Sequence, residues 1–332
     1  MKKIIATLLT LALCITCIPT FSACGKKSDN KSVLIYTSAE DYRIADLQQR
    51  LDEQFPDYDI TIEYMSTGDH AAKLISEGTK TDCDITYDLE YSYIQQLAAK
   101  EYLADLSDIC DFSIYTQDIV NSKYYIPECR VGGAIIINPE VLAEKNLPEP
   151  TSYQDLLDPM YKGLISMANP KSSGTGYMFL RYLVNEWGED TAFEYFDKLT
   201  ENILQYTSSG SGPVNALLQK EAAIGLGMTG QAVTKINTDN ANLKVIFFEE
   251  GSPFNMYGQG IIKGKEERQC VVEVFDFMAN TYNYEACEKF FPEKIFIDKD
   301  FTIENYPTNI IYGDMSNNTA PEKERLLSKW NH

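Results

Sequence analysis

Strand-like and helix-like segments alternate along the chain after residue 32, and this alternation limits it to a small set of folds. The runs 33–36, 60–64 and 83–87 are rich in β-branched and aromatic residues, and a stretch with helical spacing of apolar residues follows each of them. Strands that alternate with helices in this way form a parallel sheet with helices on both faces. The sequence therefore predicts an α/β fold.

A second set of alternating segments begins near residue 163 and predicts a second α/β lobe. We place the two crossings between the lobes near residues 134–140 and 248–260. This division assigns residues 33–136 and 256–332 to lobe 1 and residues 137–255 to lobe 2. Clefts between α/β lobes are preferred sites for small ligands, so we expect the ligand cleft there.

The first 32 residues have the three-part layout of an export signal, followed by a tether. Lys2 and Lys3 form a basic start, residues 4–18 are nearly all apolar, and small residues precede Cys24. These small residues resemble the lipobox of bacterial lipoproteins. The resemblance implies a signal peptide over 1–23, lipid attachment to Cys24 and a lipidated, flexible tether over 24–32. An ordinary secretory signal is the alternative.

Acidic side chains dominate the charge of the chain. The formal net charge is −20, and it becomes −22 without residues 1–23, which carry two lysines and no acid. A charge of this size and sign repels nucleic acid and keeps a protein soluble. Nucleic acid is therefore not an expected partner.

The cysteines beyond Cys24 give no metal or redox motif. They form no C-x-x-C pair, and their number is odd, so their disulfide pairing stays open. They are Cys83, Cys110, Cys129, Cys270 and Cys287.

Small hydroxyl residues and glycines occupy the turns after several predicted strands. Ligands of open α/β sheets bind beyond the carboxyl ends of the strands, and helix N-termini with such residues offer N–H and O–H donors to an anion. The candidate ligand-binding residues of lobe 1 are Thr37, Ser38, Ser66, Thr67, Tyr87 and Asp88. Those of lobe 2 are Ser173, Gly174, Thr175, Ser208, Ser209, Thr229 and Gln231. Helix capping is the alternative role of these residue types.

Several motifs follow one another in the order found in one group of transport proteins. The most specific is 163–170 (GLISMANP) with 172–176 (SSGTG) just after it, and the stretches 34–40, 221–227, 248–253 and 260–264 complete the series. Together they resemble the ferric iron, phosphonate and sugar-phosphate group of ABC-importer solute-binding proteins. The resemblance implies a two-lobed type II periplasmic-binding-protein fold with hinge closure. It also adds Glu250, which matches an acidic cleft residue of sugar-phosphate members.

The resemblance implies a binding protein and not an enzyme. The expected protein is a monomer that its lipid anchors to the outer face of the cytoplasmic membrane. It uses no cofactor and no metal. It delivers a phosphonate- or organophosphate-like anion to an ABC permease. An amino group on such a solute would pair with Glu40, Asp88 or Glu250.

The sequence does not separate transport from a surface sensor that presents its bound state to another receptor. Two further alternatives stay open at this point. One is Fe(III) transport, since the chain is rich in tyrosine and carries the adjacent pair Tyr124 and Tyr125. The other is a thiol enzyme of the thiaminase type on the same fold, with Cys129 as nucleophile and Glu250 as base.

Overall fold

The computed structural model describes residues 31–116, 119–120 and 122–332, and from Lys31 onward they form one compact unit. The signal peptide, Cys24 and nearly all of the tether lie outside the described residues. The strands are β1 (Ser32–Thr37), β2 (Asp59–Tyr64), β3 (Ile85–Glu90), β4 (Ile126–Ile137), β5 (Ile165–Ala168), β6 (Ile203–Thr207), β7 (Ile224–Met228), β8 (Lys244–Ile246) and β9 (Phe254–Ile261). The α-helices up to residue 200 are α1 (Asp41–Gln54), α2 (Thr67–Glu77), α3 (Tyr91–Ala99), α4 (Pro139–Glu144), α5 (Gly174–Trp187) and α6 (Glu189–Thr200). The later ones are α7 (Gly212–Leu218), α8 (Thr229–Asp239), α9 (Gln269–Phe277), α10 (Asn283–Phe290) and α11 (Ala320–Lys329).

The described strands form one mixed sheet in the order β2-β1-β3-β9-β4-β7-β5-β6, with β8 beside β4. β1 pairs with β2 and β3 in parallel, and β5 pairs with β6 and β7 in parallel. Parallel pairs need a crossover connection, usually a helix, and the helices between these strands provide it. The predicted α/β class is confirmed.

β4 and β9 join the two halves of this sheet. The first part of β4, from Ile126 to Gly132, pairs with β9, whereas residues 133–137 pair with β7 and β8. A single strand of 12 residues therefore belongs to both halves.

Two large hydrophobic cores lie on either side of the junction. The first draws mostly on residues 33–131 and 256–296, and the second draws mostly on residues 135–248. Leu326 and Trp330, in and just after α11, are fully buried in the second core. The lobe boundaries stay a prediction. These two residues fall in the range 256–332, which we assigned to lobe 1, yet they pack in the second core.

α11 also reaches the first half of the molecule. Lys323 Nζ lies 2.6 Å from Glu90 Oε2 at the end of β3, and both side chains are almost fully buried. Burial of an ion pair is tolerated when hydrogen bonds satisfy it, and Asn318 Nδ2 donates to the other Glu90 oxygen over 2.6 Å. None of the helices in the described ranges is long and apolar enough to span a bilayer.

Candidate ligand-binding site

A cavity of about 610 Å³ lies between the two cores, and residues from both halves of the sheet line it. Its volume falls within the usual range for small-molecule sites. Two parts of its lining differ in chemistry. We call Glu40, Asp41, Arg43 and Asp88 the charged wall, and Ser173, Thr175, Ser209, Gly210 and Ser211 the hydroxyl wall.

The hydroxyl wall begins at the N-terminus of α5. Ser173 is the N-cap of this 14-residue helix, and its Oγ accepts hydrogen bonds from the backbone N–H groups of Thr175 and Gly176. A side chain at position 210 would clash with the Thr175 hydroxyl, so glycine there lets the turn before α7 approach α5 closely. Hydroxyl groups from two turns therefore meet at the positive end of one helix dipole.

The charged wall is organised around Arg43 on the first turn of α1. Its Nη1 lies 3.0 Å from Glu40 Oε2 and 2.9 Å from Asp88 Oδ1. Its Nη2 lies 2.6 Å from Glu128 Oε1, on β4 behind the cavity. All four side chains are almost fully buried, so one guanidinium is shared by three carboxylates away from water.

Asp88 enters the cavity through an irregularity of β3. The pairing of β3 with β9 shifts in register between Thr86 and Leu89, and Asp88 adopts a left-handed backbone with φ of 55°. Such a backbone at a residue other than glycine costs on the order of 1–3 kcal/mol and is concentrated at functional sites. The irregularity turns a strand residue toward the cavity, as bulges next to binding sites do.

The charges of this cluster shift the pKa values of its members. Burial would lower the pKa of Arg43, but Asp88, Glu128 and Glu40 hold it well above its ordinary value. Burial raises the pKa of Asp88 well above its usual range; Arg43 opposes this rise, whereas Glu128 and Glu40 add to it. The cluster thus contains a permanent cation and more carboxylates than that cation neutralises.

Cys129 lies behind the charged wall and does not line the cavity. Its Sγ is 2.7 Å from Glu128 Oε2. Burial, and after it the Glu128 carboxylate, raises the pKa of the Cys129 thiol well above its ordinary value. Since the thiolate is the nucleophilic form of cysteine, this residue lacks the environment of a reactive thiol. Cys83, Cys110 and Cys287 are buried free thiols too, and Cys270 is buried as well.

Within the described residues, Asp88, Glu128 and Cys129 place one ligand atom each within 4.8 Å of one another. The Arg43 guanidinium already lies 2.9 Å from the Asp88 carboxylate and 2.6 Å from that of Glu128. A metal ion at this point would have to displace that cation, so the group does not fit a resident metal.

The two halves of the molecule touch at the edge of the cleft. The backbone N–H of Gly68, early in α2, donates to the carbonyl of Ser172 over 3.0 Å. A Cβ atom at position 68 would lie 2.8 Å from the carbonyl oxygen of Lys171, which is too close for a side chain. Tyr64, at the end of β2, and Ser209, in the turn before α7, both line the cavity next to this contact. The two halves are therefore in direct backbone contact at this edge of the cavity.

The structure brings seven of the sequence-predicted residues together around the cavity. They are Ser38, Glu40, Thr67, Asp88, Ser173, Thr175 and Ser209. Ser38 is held in place by a hydrogen bond from its hydroxyl to the Asp88 carbonyl.

The other predicted residues do not line the cavity, and most of them support its walls. Thr37 accepts a hydrogen bond from the Ala39 N–H, Ser66 caps α2, and Tyr87 donates to Glu128. Gly174 packs against the Tyr257 hydroxyl, Ser208 accepts through its carbonyl from Ser172, Thr229 is fully buried, and Gln231 donates to Ser211 and Asn215. Glu250 is exposed, and its backbone carbonyl accepts from Tyr182.

Sequence reasoning missed Arg43, Tyr64, Asn215 and Tyr257 as lining residues. Glu40 and Arg43 are spaced three residues apart at a helix start, so an ion pair between them was readable from the sequence. Tyr64 ends β2 and Tyr257 lies in the middle of β9, and only the tertiary structure brings them to one cavity.

A cavity between two α/β halves and lined from both of them is typical of proteins that bind a small solute. The chain belongs to the bacterial extracellular solute-binding proteins, because the model of that family matches residues 80–294. The resemblance stated from the sequence is confirmed, and family membership places the protein outside the cytoplasm.

Two kinds of curated relatives match part of the chain. An uncharacterized protein of Haemophilus influenzae is 38% identical over 130 residues, which is 39% of this chain and 37% of that protein. The phosphoglycerate transport regulatory protein PgtC of Salmonella typhimurium is 24% identical over 120 residues, which is 35% of this chain and 29% of that protein. The matches thus span about a third of the length of these relatives.

Solved structures are similar over most of the chain. They include AfuA of Actinobacillus pleuropneumoniae with exogenous fructose-6-phosphate bound (TM-score 0.77, 23% identity) and iron-bound HitA of Pseudomonas aeruginosa (0.73, 16%). A periplasmic thiamin binding protein has a TM-score of 0.75 at 14% identity. Each match covers 90% of this chain, and they cover 97%, 98% and 95% of the other chains. The predicted two-lobed fold is confirmed, and at these identities the likeness concerns the fold alone.

Proposed function

We propose that the protein is the solute-binding component of an ABC importer and captures a small anionic solute, such as a phosphonate or a phosphate ester, by hinge closure. A lipid on Cys24 holds the monomer at the outer face of the cytoplasmic membrane, and the closed form delivers the solute to a permease. Family membership and the likeness to AfuA support a transport role.

The hydroxyl wall is the observation that most supports an anionic solute. Its members supply O–H groups and the N-terminus of α5, and none of them carries a charge. Hydroxyl and N–H donors at a helix N-terminus bind anions without a cationic side chain. An oxyanion of the solute fits this wall better than any other group does.

The contact between Gly68 and Ser172 supports capture by closure. It joins the two halves through backbone atoms at the edge of the cleft, so it exists only when the halves are together. A solute that contacts both walls would favour this closed form over an open one, because a ligand shifts a conformational equilibrium by its difference in affinity for the two states.

Fe(III) is the second candidate ligand, since the cavity also holds hard oxygen donors. Glu40, Asp88, Tyr64 and Tyr257 all line it, and carboxylate and phenolate are the ligand types that ferric iron prefers. The likeness to iron-bound HitA adds to this candidate. We do not carry the thiol enzyme further, because Cys129 is a buried neutral thiol outside the cavity.

A thermal-shift screen tests the proposal. Purified protein is heated with phosphonates, phosphate esters, sugars, amino acids and Fe(III), each at millimolar concentration. A micromolar ligand should add about 4 kcal/mol to the free energy of unfolding. The solute is then recovered and analysed by NMR, and we expect it unchanged. Stabilisation by Fe(III) with none by any oxyanion would replace the leading candidate with the second one, and a converted solute would reveal an enzyme.

A further inference from the structure

The charged wall holds more negative charge than its own cation neutralises. Among the described residues that line the cavity, Arg43 is the only cationic side chain. It forms ion pairs with Glu40 and Asp88 in the cavity and with Glu128 behind it. Asp41 adds an exposed carboxylate to the same wall. Nothing in this wall suits an anionic solute that lacks a positive group, because it would face unbalanced carboxylates.

Glu40 keeps one oxygen available to a ligand. Its Oε2 is taken by Arg43, whereas its Oε1 accepts no hydrogen bond from any residue that the structure describes. The Glu40 side chain is only 8% exposed, and it lines the cavity. This oxygen is not one of the fully buried polar atoms that lack a partner, so it keeps accessible surface in the cavity. The unused acceptor therefore faces the volume that a solute would fill.

The hydroxyl wall has the opposite polarity and lies across the same cavity. Its donors are the Ser173 and Thr175 hydroxyls and the start of α5, and the positive end of the helix dipole points to the ligand there. A solute that spans both walls would meet acceptors at one end and donors at the other.

We infer that the natural solute is a zwitterion: a small molecule with an amine that binds Glu40 and Asp88 and an oxyanion that binds the hydroxyl wall. This inference rests on the proposed function and narrows it from small anions in general to amine-bearing phosphonates, phosphate esters or carboxylates. Amine-free sugar phosphates and Fe(III) fall outside it.

Calorimetry with matched probe pairs tests the inference on the unaltered protein. The pairs are 2-aminoethylphosphonate with ethylphosphonate, phosphoethanolamine with ethyl phosphate, and β-alanine with propionate. For the pair whose oxyanion fits the hydroxyl wall, we expect the amine-bearing member to bind at least about tenfold more tightly, since hydrogen bonds between charged groups are strong.

Glu40→Gln then locates the amine. It should reduce that preference severalfold while leaving the amine-free probe as it was or improving its binding. The matched control is Glu144→Gln, an exposed acid at the end of α4, which should keep the full preference.

The outcomes separate this inference from the proposed function. Equal affinity within every pair that binds, or tight binding of fructose-6-phosphate or Fe(III) with no binding of an amine-bearing probe, overturns the zwitterion and leaves solute capture in the cleft standing. No binding of any probe and no stabilisation in the screen overturns both. The wild-type comparison decides the matter even if Glu40→Gln fails to fold.

Discussion

The charged wall and the hydroxyl wall border the same cavity but are stabilised in different ways. In the charged wall, Arg43 pairs within 3.0 Å with Glu40 and Asp88, and also with Glu128 behind the wall, so much of its hydrogen-bonding capacity is used inside the protein. In the hydroxyl wall, Ser173 caps α5, while the Thr175 hydroxyl makes no hydrogen bond to any described residue. The charged wall therefore stabilises the fold even without a solute, whereas the hydroxyl wall keeps hydrogen-bond donors available for a solute.

This difference predicts that substitutions in the charged wall lower the stability of the fold and that substitutions in the hydroxyl wall lower the affinity for the solute. Removing a charge from a closed network leaves its partners buried and unpaired, which destabilises the fold. Removing a free donor costs little until a ligand needs it. The comparison can be tested from both sides.

Arg43→Met should have the largest effect. It leaves Glu40, Asp88 and Glu128 without a cation, and loss of one partner from a buried ion cluster costs about 3–5 kcal/mol. Arg50→Met, on the same helix but with partners that are half exposed, should cost at most about 1 kcal/mol. Urea unfolding measures both. Similar losses in the two variants would contradict the idea that the charged wall is a structural network.

Ser173→Ala combined with Thr175→Ala should come next, and here the effect is on affinity. Each lost donor to an anion is worth about 1.5 kcal/mol at the low end, so the tightest solute of the screen should bind roughly 100-fold more weakly. Loss of the α5 cap should lower the free energy of unfolding by only about 1 kcal/mol. Calorimetry on the folded variant checks this, with Thr191→Ala on the exposed side of α6 as control. Unchanged affinity would remove the hydroxyl wall from the site.

Gly68→Ala should impair closure rather than either wall. A Cβ atom there meets the Lys171 carbonyl at 2.8 Å in the closed form, so solute affinity should fall by roughly tenfold, with faster dissociation. Without solute, the variant should be at least as stable as the wild type, because alanine favours helix over glycine by about 1 kcal/mol. Stopped-flow kinetics and thermal unfolding give the two values. Ser76→Ala, exposed on the same helix, is the control, and equal dissociation rates in both variants would count against closure at this contact.

Glu250→Gln should have the smallest effect. The sequence resemblance assigns this residue to the site, but its side chain is exposed and does not line the cavity. We expect less than a twofold change in solute affinity by calorimetry, since a charge outside the cavity is screened by solvent. A loss as large as that of Glu40→Gln would show that Glu250 reaches the solute in another conformation of the turn before β9.

The fold was readable from the sequence because strands and helices carry local signals. The strand predicted at 83–87 begins at Ile85 and continues to Glu90. The turns after β1 and β5 bring Ser38 and Ser173 to the cavity, whereas Asp88, predicted in a turn, lies within β3 close to its carboxyl end. These residues follow from one topological rule, which places ligands at the carboxyl ends of strands.

The rest of the site depends on which side chains the tertiary structure buries. Gln231 also follows a strand, yet it donates to Ser211 and Asn215 from behind the hydroxyl wall. Tyr257 reaches the cavity from β9, whose antiparallel insertion between β3 and β4 no local pattern predicts. Cys24 and its lipid lie outside the described residues and stay a prediction.

The burial of Trp330 has a practical consequence for spectroscopy. The chain has two tryptophans, and Trp330 and Trp187 both belong to the core of residues 135–248, where Trp330 contacts Phe196 and Tyr206 edge-on. Intrinsic emission excited at the red edge of the absorption band therefore reports on that half of the molecule only. Unfolding of the other half has to be followed by circular dichroism or by tyrosine signals. An unfolding curve from tryptophan emission that differs from the curve of those signals would reveal that the halves unfold separately.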